Sequence, residues 1–202
     1  AGVGAGKTYL ILASSLGEQS NIDLADADYS FVGEAEEDYS GIVLAPAGDV
    51  DGDSLGDIMI ASYGNGADSF VGKLYLILGS SLDPSTPDRS LATADYSFVG
   101  DNPDDLLGLS MTSLLDIDGD GRDEIAFGAS GSDVQGVESG AVYVVLSSSL
   151  DPQNPHRSAS TADHIFEGEN SGDYAGYWIS SAGDLDADGT GDLLIGAPGN
   201  DT

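Results

Sequence analysis

A threefold internal repeat constrains this chain more than any other feature of its sequence. The segment Gly6–Leu12, GKTYLIL, recurs as GKLYLIL from Gly72 and as GAVYVVL from Gly140. A nine-residue acidic loop also occurs three times, at steps of 67 and 68 residues. Self-similarity at a fixed period is the signature of repeat architectures, in which each copy is one supersecondary unit and neighbouring copies share a core. We therefore expect three copies of one small structural unit.

Each copy has the pattern of four short strands separated by clusters of Gly, Asp, Pro and Ser. In the second copy we expect strands near 72–78, 94–99, 108–115 and 124–129, and no stretch has convincing helical periodicity. The first of these runs is apolar on both faces, which predicts a strand covered on both sides. Such units favour an all-β propeller of four-stranded blades. A β-solenoid is the alternative, although its rungs are usually much shorter than this period.

The repeats divide the chain into one propeller unit with a break inside a blade. We place the first repeat at 6–71, the second at 72–139 and the third at 140–202, completed by 1–5. The last repeat stops after its second strand, and the chain opens with material for a third and a fourth. If Thr202 were joined to Ala1, the three repeats would form one circular period. A chain that begins at Ala1 with no apolar signal segment is expected to be either a processed mature protein or an excised fragment.

The number of repeats predicts self-association. Propellers typically close with about four to eight blades, so three repeats are too few, and two chains would give six. We expect a homodimer in which strands near 176–183 and 192–197 of one chain meet strands near 6–12 and 28–32 of the other, because unpaired sheet edges invite association. The alternative is a fragment of a longer propeller, which would be monomeric and poorly folded or would polymerise head to tail.

Acidic residues dominate the charge of the chain. Thirty-six Asp and Glu face five Lys and Arg, a formal net charge of −31. This charge repels nucleic acid and anionic membranes and attracts cations. No apolar run approaches the roughly 20 residues of a membrane helix, so we expect no membrane insertion. A solvated acidic surface, one suited to high salt, accounts for about half of the carboxylates, since three loops cannot use them all.

The three acidic loops share one pattern, with carboxylates at positions 1, 3, 5 and 9. Ca²⁺ is a hard cation that takes roughly six to eight oxygen ligands in a flexible geometry. Alternate residues of a tight turn can point inward together, and position 7, where the residue type varies, would contribute its backbone carbonyl. The candidate calcium ligands, one ion per loop and three per chain, are Asp49, Asp51, Asp53, Leu55 and Asp57; Asp116, Asp118, Asp120, Arg122 and Glu124; and Asp184, Asp186, Asp188, Thr190 and Asp192.

Two other interpretations of the loops are less favoured. They are not EF-hands, because position 12 is Ile60, Phe127 or Ile195 in an apolar strand, where an EF-hand has a bidentate Glu before a helix. Asp and Gly also favour turns without any metal, but three loops in register at a fixed period favour a metal. Mg²⁺ prefers a tighter octahedron with several waters, so Ca²⁺ is the predicted ion.

The acidic loop, the strand after it and a Gly-Ala-Pro-like segment together resemble the FG-GAP repeats of integrin α-subunit propellers and their prokaryotic relatives. Ile195-Gly-Ala-Pro198 is the best copy, and Phe127-Gly-Ala-Ser130 and Ile60-Ala-Ser-Tyr63 are degraded ones. The resemblance covers essentially the whole chain. It implies a β-propeller with a calcium ion in each hairpin between the first and second strands. This chain departs from the integrin pattern in its number of repeats: the integrin head has seven blades, and this chain has material for three.

We expect a non-enzymatic, calcium-binding module for adhesion, recognition or assembly, located outside the cell or at its surface, with a protein or glycan ligand. A glycan-binding lectin-like propeller and an accessory propeller of a polysaccharide-processing enzyme are the alternatives. His156 and His164 have no evident nucleophile or second histidine at ligand spacing, so we expect no catalysis by them. Trp178, Tyr39 and Tyr174 could stack on a sugar, but we expect them to be buried between blades.

Overall fold

The computed structural model describes residues 2–17, 21–64 and 70–201; Ala1 and Thr202, where the circular period would close, lie outside them. Within these ranges the chain is all-β, as expected. The strands are β1 (Lys7–Leu10), β2 (Tyr29–Val32), β3 (Leu44–Gly48), β4 (Asp57–Ser62), β5 (Lys73–Ile77), β6 (Asp88–Ser90), β7 (Tyr96–Val99), β8 (Leu107–Leu114), β9 (Glu124–Ala129), β10 (Ala141–Val145), β11 (His156–Ser158), β12 (His164–Glu167), β13 (Trp178–Gly183) and β14 (Asp192–Gly196). Short 3₁₀ helices cover Ala13–Ser15, Leu24–Asp26, Gly79–Ser81, Leu91–Thr93, Ser147–Ser149 and Ala159–Thr161. In the part of the chain that the structure describes, no helix has the length and hydropathy to cross a membrane.

The strands form two full four-stranded units between two half-units. The first full unit is the antiparallel meander β3-β4-β5-β7, and the second is β8-β9-β10-β12. The upstream half-unit consists of β1 and β2, which correspond to the third and fourth strands of a full unit. The downstream half-unit consists of β13 and β14, which correspond to the first and second. No sheet of the described residues closes into a ring.

Each full unit combines strands from two adjacent sequence repeats. In the first full unit, β4 belongs to repeat 6–71 and β5 to repeat 72–139, yet they pair with Ile58 opposite Ile77. The acidic loops and the apolar third strands repeat with nearly the same period. The sequence repeat and the structural unit therefore have the same length and differ only in where their boundaries are placed.

Two short strands connect neighbouring units in a way that the sequence patterns did not predict. β6 lies between β5 and β7 along the chain, but it pairs in parallel with β2, placing Arg89 opposite Phe31. β11 pairs in the same way with β7, and the Arg157 guanidinium lies 5.1 Å from the centre of the Phe98 ring. Both strands have three mostly polar residues, so they carry no apolar alternation that could identify them.

Apolar side chains pack between successive units, as the runs with two apolar faces predicted. Between the two full units, the ring centroid of Phe127 lies 5.3 Å from that of Phe98; within the second unit it lies 5.7 Å from that of Tyr143 on the neighbouring strand. A second cluster packs Phe31 of the upstream half-unit against Tyr75 of the first full unit. Each full unit is therefore covered on one face by the unit before it and on the other by the unit after it.

The glycine that opens each third strand permits a close approach between units. Gly140 has φ of 78°, and a Cβ there would overlap the backbone of Ala175, with which it forms a parallel bridge. Gly72 has φ of 80° and the same close contact with Leu107. Any other residue would be strained by the left-handed backbone conformation, and its Cβ would clash with the neighbouring backbone. These two costs explain why glycine recurs at this position.

The expectation that Trp178 and Tyr39 are buried is wrong, because their side chains are 68% and 48% exposed; Tyr174 is half-buried. Trp178 begins β13 and lines a cleft with Leu109 of the second full unit, yet most of its side chain is exposed. His164, on β12 at the same end, is also exposed. The sequence pattern marks these positions as interior, and only the arrangement of units leaves them open.

Candidate metal centres

The three acidic loops occupy equivalent places in the fold. Each connects the first and second strands of a unit, and its position 9 is the first residue of the second strand. A break in strand register precedes the first and third loops, between Pro46 and Gly48 and between Ser181 and Gly183. The loops are 49–57 between β3 and β4, 116–124 between β8 and β9, and 184–192 between β13 and β14.

The carboxylate at position 1 folds each loop around itself. Asp49 Oδ1 accepts hydrogen bonds from the amides of Gly52 and Asp53 at 2.9 and 3.0 Å, and its Oδ2 accepts one from Ser54 at 2.9 Å. Asp116 and Asp184 accept equivalent bonds in their own loops. Because Asp side chains readily accept bonds from amides a few residues ahead, the Asp-x-Asp-x-Asp spacing forms this tight turn locally.

In every loop three acidic side chains bring one oxygen each within 4.8 Å of the others. Two oxygens that bind one calcium ion at about 2.4 Å can be at most about 5 Å apart, so each group could hold a single ion. The donors are all hard oxygens, which fit Ca²⁺. The groups are Asp49, Asp51 and Asp53; Asp116, Asp118 and Glu124; and Asp184, Asp186 and Asp192. The remaining predicted carboxylates, Asp57, Asp120 and Asp188, lie outside these groups, and their role as ligands stays a prediction.

The position 9 carboxylate of the first two loops is buried and accepts hydrogen bonds from its own loop and from the 3₁₀ helix that follows the third strand. Asp57 is buried, and its two oxygens accept hydrogen bonds from the amides of Val50 and Gly79, both at 2.8 Å. Burial raises the pKa of Asp57 to about 6, and the charges of Asp51 and Asp53 add to the shift. Burial likewise raises the pKa of Glu124, which is fully buried. A cation in the loop would favour the charged forms of both groups.

The 3₁₀ helix after each third strand contributes serine hydroxyls to the loops of the full units. Ser80 Oγ donates to Asp51 at 3.2 Å, and Ser148 Oγ lies 3.5 Å from Asp118. Ser147 Oγ donates to Glu124 at 3.1 Å. Sequence analysis did not assign these serines to the site. The recurrence of Ser-Ser-Leu once per repeat was the signal that could have found Ser80 and Ser148, whereas Ser147 precedes that triplet.

Position 7 holds three different side chains in three different environments. Leu55 is exposed, and the Thr190 hydroxyl donates to Asp188 Oδ1 at 2.6 Å. The guanidinium of Arg122 forms an ion pair with the carboxylate of Asp120, which lowers the pKa of Asp120. The predicted ligation by the position 7 carbonyls stays a prediction. In the second loop, however, the positively charged side chain of Arg122 competes with a metal ion for Asp120, one of the predicted ligands.

Arg122→Ala is expected to tighten calcium binding at the second loop modestly, because an exposed ion pair is weak but competes for one of the predicted ligands. The substitution frees Asp120 and removes a positive charge beside the site. Terbium luminescence or calorimetric titration would measure the change, with Leu55→Ala as the uncharged control in the first loop. Weaker binding by Arg122→Ala would contradict the idea that the guanidinium competes with the ion.

Comparison with known proteins agrees with this geometry. The FG-GAP repeat model matches residues 108–145, which run through most of β8, the second acidic loop and β9 to the end of β10. Integrin alpha-PS2 of Drosophila melanogaster is 29% identical over 168 residues, which are 81% of this chain and 11% of that protein. The chain therefore spans only a small part of its curated relative. Both matches support the resemblance read from the repeats: the chain is similar to the FG-GAP, integrin α-like family.

Proposed function

We propose that this chain is a calcium-stabilised, non-enzymatic β-propeller module of the adhesion type, with one ion in each acidic loop and three per chain. The observation that carries the proposal is that a three-carboxylate cluster recurs at one place in the fold in three successive units. Positions 1 and 3 take part in every cluster, and the third carboxylate comes from position 5 in the first loop and from position 9 in the other two. Similarity to FG-GAP repeats supports the propeller arrangement of the units.

The position of the loops supports a structural role for the ion. Each loop joins two strands at the edge of the fold, and in the full units its position 9 carboxylate also holds the amide or hydroxyl of the 3₁₀ helix that follows the third strand. An ion bound to the loop would therefore fix three segments of one unit together. Without a cation, several carboxylates would repel each other across less than 4.8 Å.

The proposed setting is the cell surface or the extracellular space. The similarity to an integrin α-subunit supports adhesion, recognition or assembly as the role. Extracellular calcium is about millimolar, so loops whose Kd lies well below that concentration would be occupied there. Similarity to FG-GAP repeats also supports a binding role in preference to catalysis.

A cleft opposite the acidic loops favours glycan binding as a second candidate function. Its volume is about 420 Å³, and the rings of Tyr63 and Phe70 lie 4.4 Å apart at its wall. Tyr174 also lines it, with its hydroxyl 2.5 Å from Glu138. Aromatic faces beside carboxylates suit the apolar faces and hydroxyls of a sugar. Screening on a glycan array would test this candidate, and retention on no glycan would count against it.

The experiment that tests calcium binding is a calorimetric titration of the chain and of Asp53→Ala. We expect three sites in the wild-type chain and a selective loss or weakening of one in the variant, because Asp53 belongs to one cluster only. Asp83→Ala is the matched control, since Asp83 also accepts hydrogen bonds in its own turn, from Ser85, but belongs to no cluster. No calcium uptake by the wild-type chain, or equal losses from Asp53→Ala and Asp83→Ala, would refute the assignment.

A further inference from the structure

The first two acidic loops are in direct contact, although they belong to different units. The amide of Asp123, at position 8 of the second loop, donates a hydrogen bond to the backbone carbonyl of Asp49 at 3.0 Å. The amide of Asp49, at position 1 of the first loop, donates in turn to Asp123 Oδ2 at 2.9 Å. The two residues therefore exchange a pair of hydrogen bonds across the interface between the first and second full units.

Each end of this link lies in or beside a carboxylate cluster. Asp49 is a member of the first cluster, and its side chain accepts the amides that fold the first loop. Asp123 belongs to no cluster, but it directly precedes Glu124, which is a member of the second. An ion that holds Glu124 in place would therefore also restrict the backbone to which Asp49 is bonded.

Glycines of the first loop leave the space that this link needs. Gly48, which precedes Asp49, has φ of 83°, and a Cβ there would overlap the carboxylate of Asp123. Gly52, at position 4, makes room for the aliphatic part of Arg122, because a Cβ at Gly52 would lie 3.2 Å from the Arg122 Cγ. A side chain at position 48 would therefore strain the backbone and block the link.

The second and third loops do not share such a link. Position 8 of the third loop is Gly191, which has no side chain to accept a hydrogen bond. The residue that precedes the second loop is Leu115, and a Cβ at Gly191 would lie 3.0 Å from the Leu115 Cβ. In the described part of the chain, no backbone hydrogen bond connects Gly191 with Asp116. The glycine and the larger residue have thus exchanged sides between the two contacts.

We propose that Asp123 is a positioning residue that couples the first two metal loops, so that calcium in either loop favours binding in the other. This inference rests on the proposed calcium-binding function and adds its regulation. Coupling between two sites is reciprocal, and we expect an effect of about fivefold on affinity, at the low end of the usual range. Asp53→Ala, which removes a carboxylate of the first cluster, should therefore also weaken the second loop about fivefold without abolishing its binding.

General electrostatics acts in the opposite direction. The net charge of −31 attracts cations to every loop. A cation bound in one loop lowers the negative potential at the others, so charge alone makes later binding weaker. Mutual strengthening that is limited to the first two loops is therefore the signature of the hydrogen bonds between Asp123 and Asp49.

A calcium titration followed by heteronuclear NMR tests the coupling loop by loop. Each loop has a glycine whose amide donates to the position 1 carboxylate: Gly52, Gly119 and Gly189. Asp118→Ala removes a carboxylate of the second cluster and should keep that loop from filling. In this variant we expect the calcium concentration at the midpoint of the Gly52 shift to rise about fivefold, while the midpoint for Gly189 does not rise.

Two substitutions at Asp123 separate its hydrogen bond from its charge. Asp123→Ala removes the acceptor, so it should raise the Gly52 midpoint by the same factor, and adding Asp118→Ala should cause no further rise. Asp123→Asn keeps an oxygen that can accept the Asp49 amide but loses the charge, so it should retain the coupling. Asp83→Ala is the control for loss of an unrelated carboxylate, because Asp83 accepts its hydrogen bonds from Ser85 within one turn.

The outcomes of the titrations are distinct. A rise in the Gly52 midpoint that depends on Asp123, and that Asp123→Asn does not show, supports the coupling. Equal rises at Gly52 and Gly189, or an Asp123→Asn variant that behaves like Asp123→Ala, overturn it. An unchanged Gly52 midpoint in Asp123→Ala also overturns it, even if Asp118→Ala does not fold. If calcium shifts none of the three glycine amides in the wild-type chain, the proposed function itself is refuted.

Discussion

Removal of calcium is expected to lower the melting temperature of this chain by roughly 15–30 °C. At a calcium concentration a hundred times Kd, each site adds about 2.7 kcal/mol to the free energy of unfolding, so three sites add about 8 kcal/mol. For a domain of this size, 1 kcal/mol corresponds to about 2–4 °C. The physical reason is that each loop crowds three or more carboxylates, whose repulsion the ion removes. Differential scanning calorimetry with and without chelator measures the effect.

Two controls limit the interpretation of the chelator experiment. Adding Mg²⁺ after chelation should restore only a small part of the lost stability, because Mg²⁺ demands a tighter octahedral site. Asp53→Ala should reduce the chelator effect by about a third, the share of one site among three, whereas Asp83→Ala should leave it unchanged. A melting temperature that is the same before and after verified calcium removal would show that the ions do not stabilise the fold.

Phe98→Ala is expected to lower the free energy of unfolding by about 3–5 kcal/mol, the usual range for truncating a buried aromatic residue. Phe98 is fully buried between the two full units, packs on Phe127 and has the Arg157 guanidinium over its ring. The variant leaves a cavity in the interface that holds the two units together. Urea unfolding monitored by circular dichroism would measure the difference.

Phe166→Ala is the matched control, because it changes the same residue at the equivalent repeat position. Its side chain is half exposed, so we expect a loss of only about 1 kcal/mol. Equal losses from both variants in dilute solution would contradict the burial on which the interface between units is based.

The sequence by itself determined the four longer strands of each unit and the candidate metal loops. The strand expected near 108–115 spans Leu107–Leu114, and the one expected at 124–129 has those bounds. Apolar runs bounded by Gly and Asp clusters are local signals, and the threefold repeat supplied an independent check of each. The Asp-x-Asp-x-Asp spacing is equally local, because the hydrogen bonds that fold the loop connect residues no more than a few positions apart.

Only the tertiary structure decided how the units contact each other. The pairing of β6 with β2 and of β11 with β7 connects residues about 60 positions apart through three-residue strands with no apolar pattern. The burial of Asp57 and the ion pair between Arg122 and Asp120 likewise depend on how each loop lies against its unit. The repeats make equivalent positions look alike in sequence, so Phe98 and Phe166 carry the same local signal. Their different burial follows from which units stand beside them, a long-range property that a local pattern does not contain.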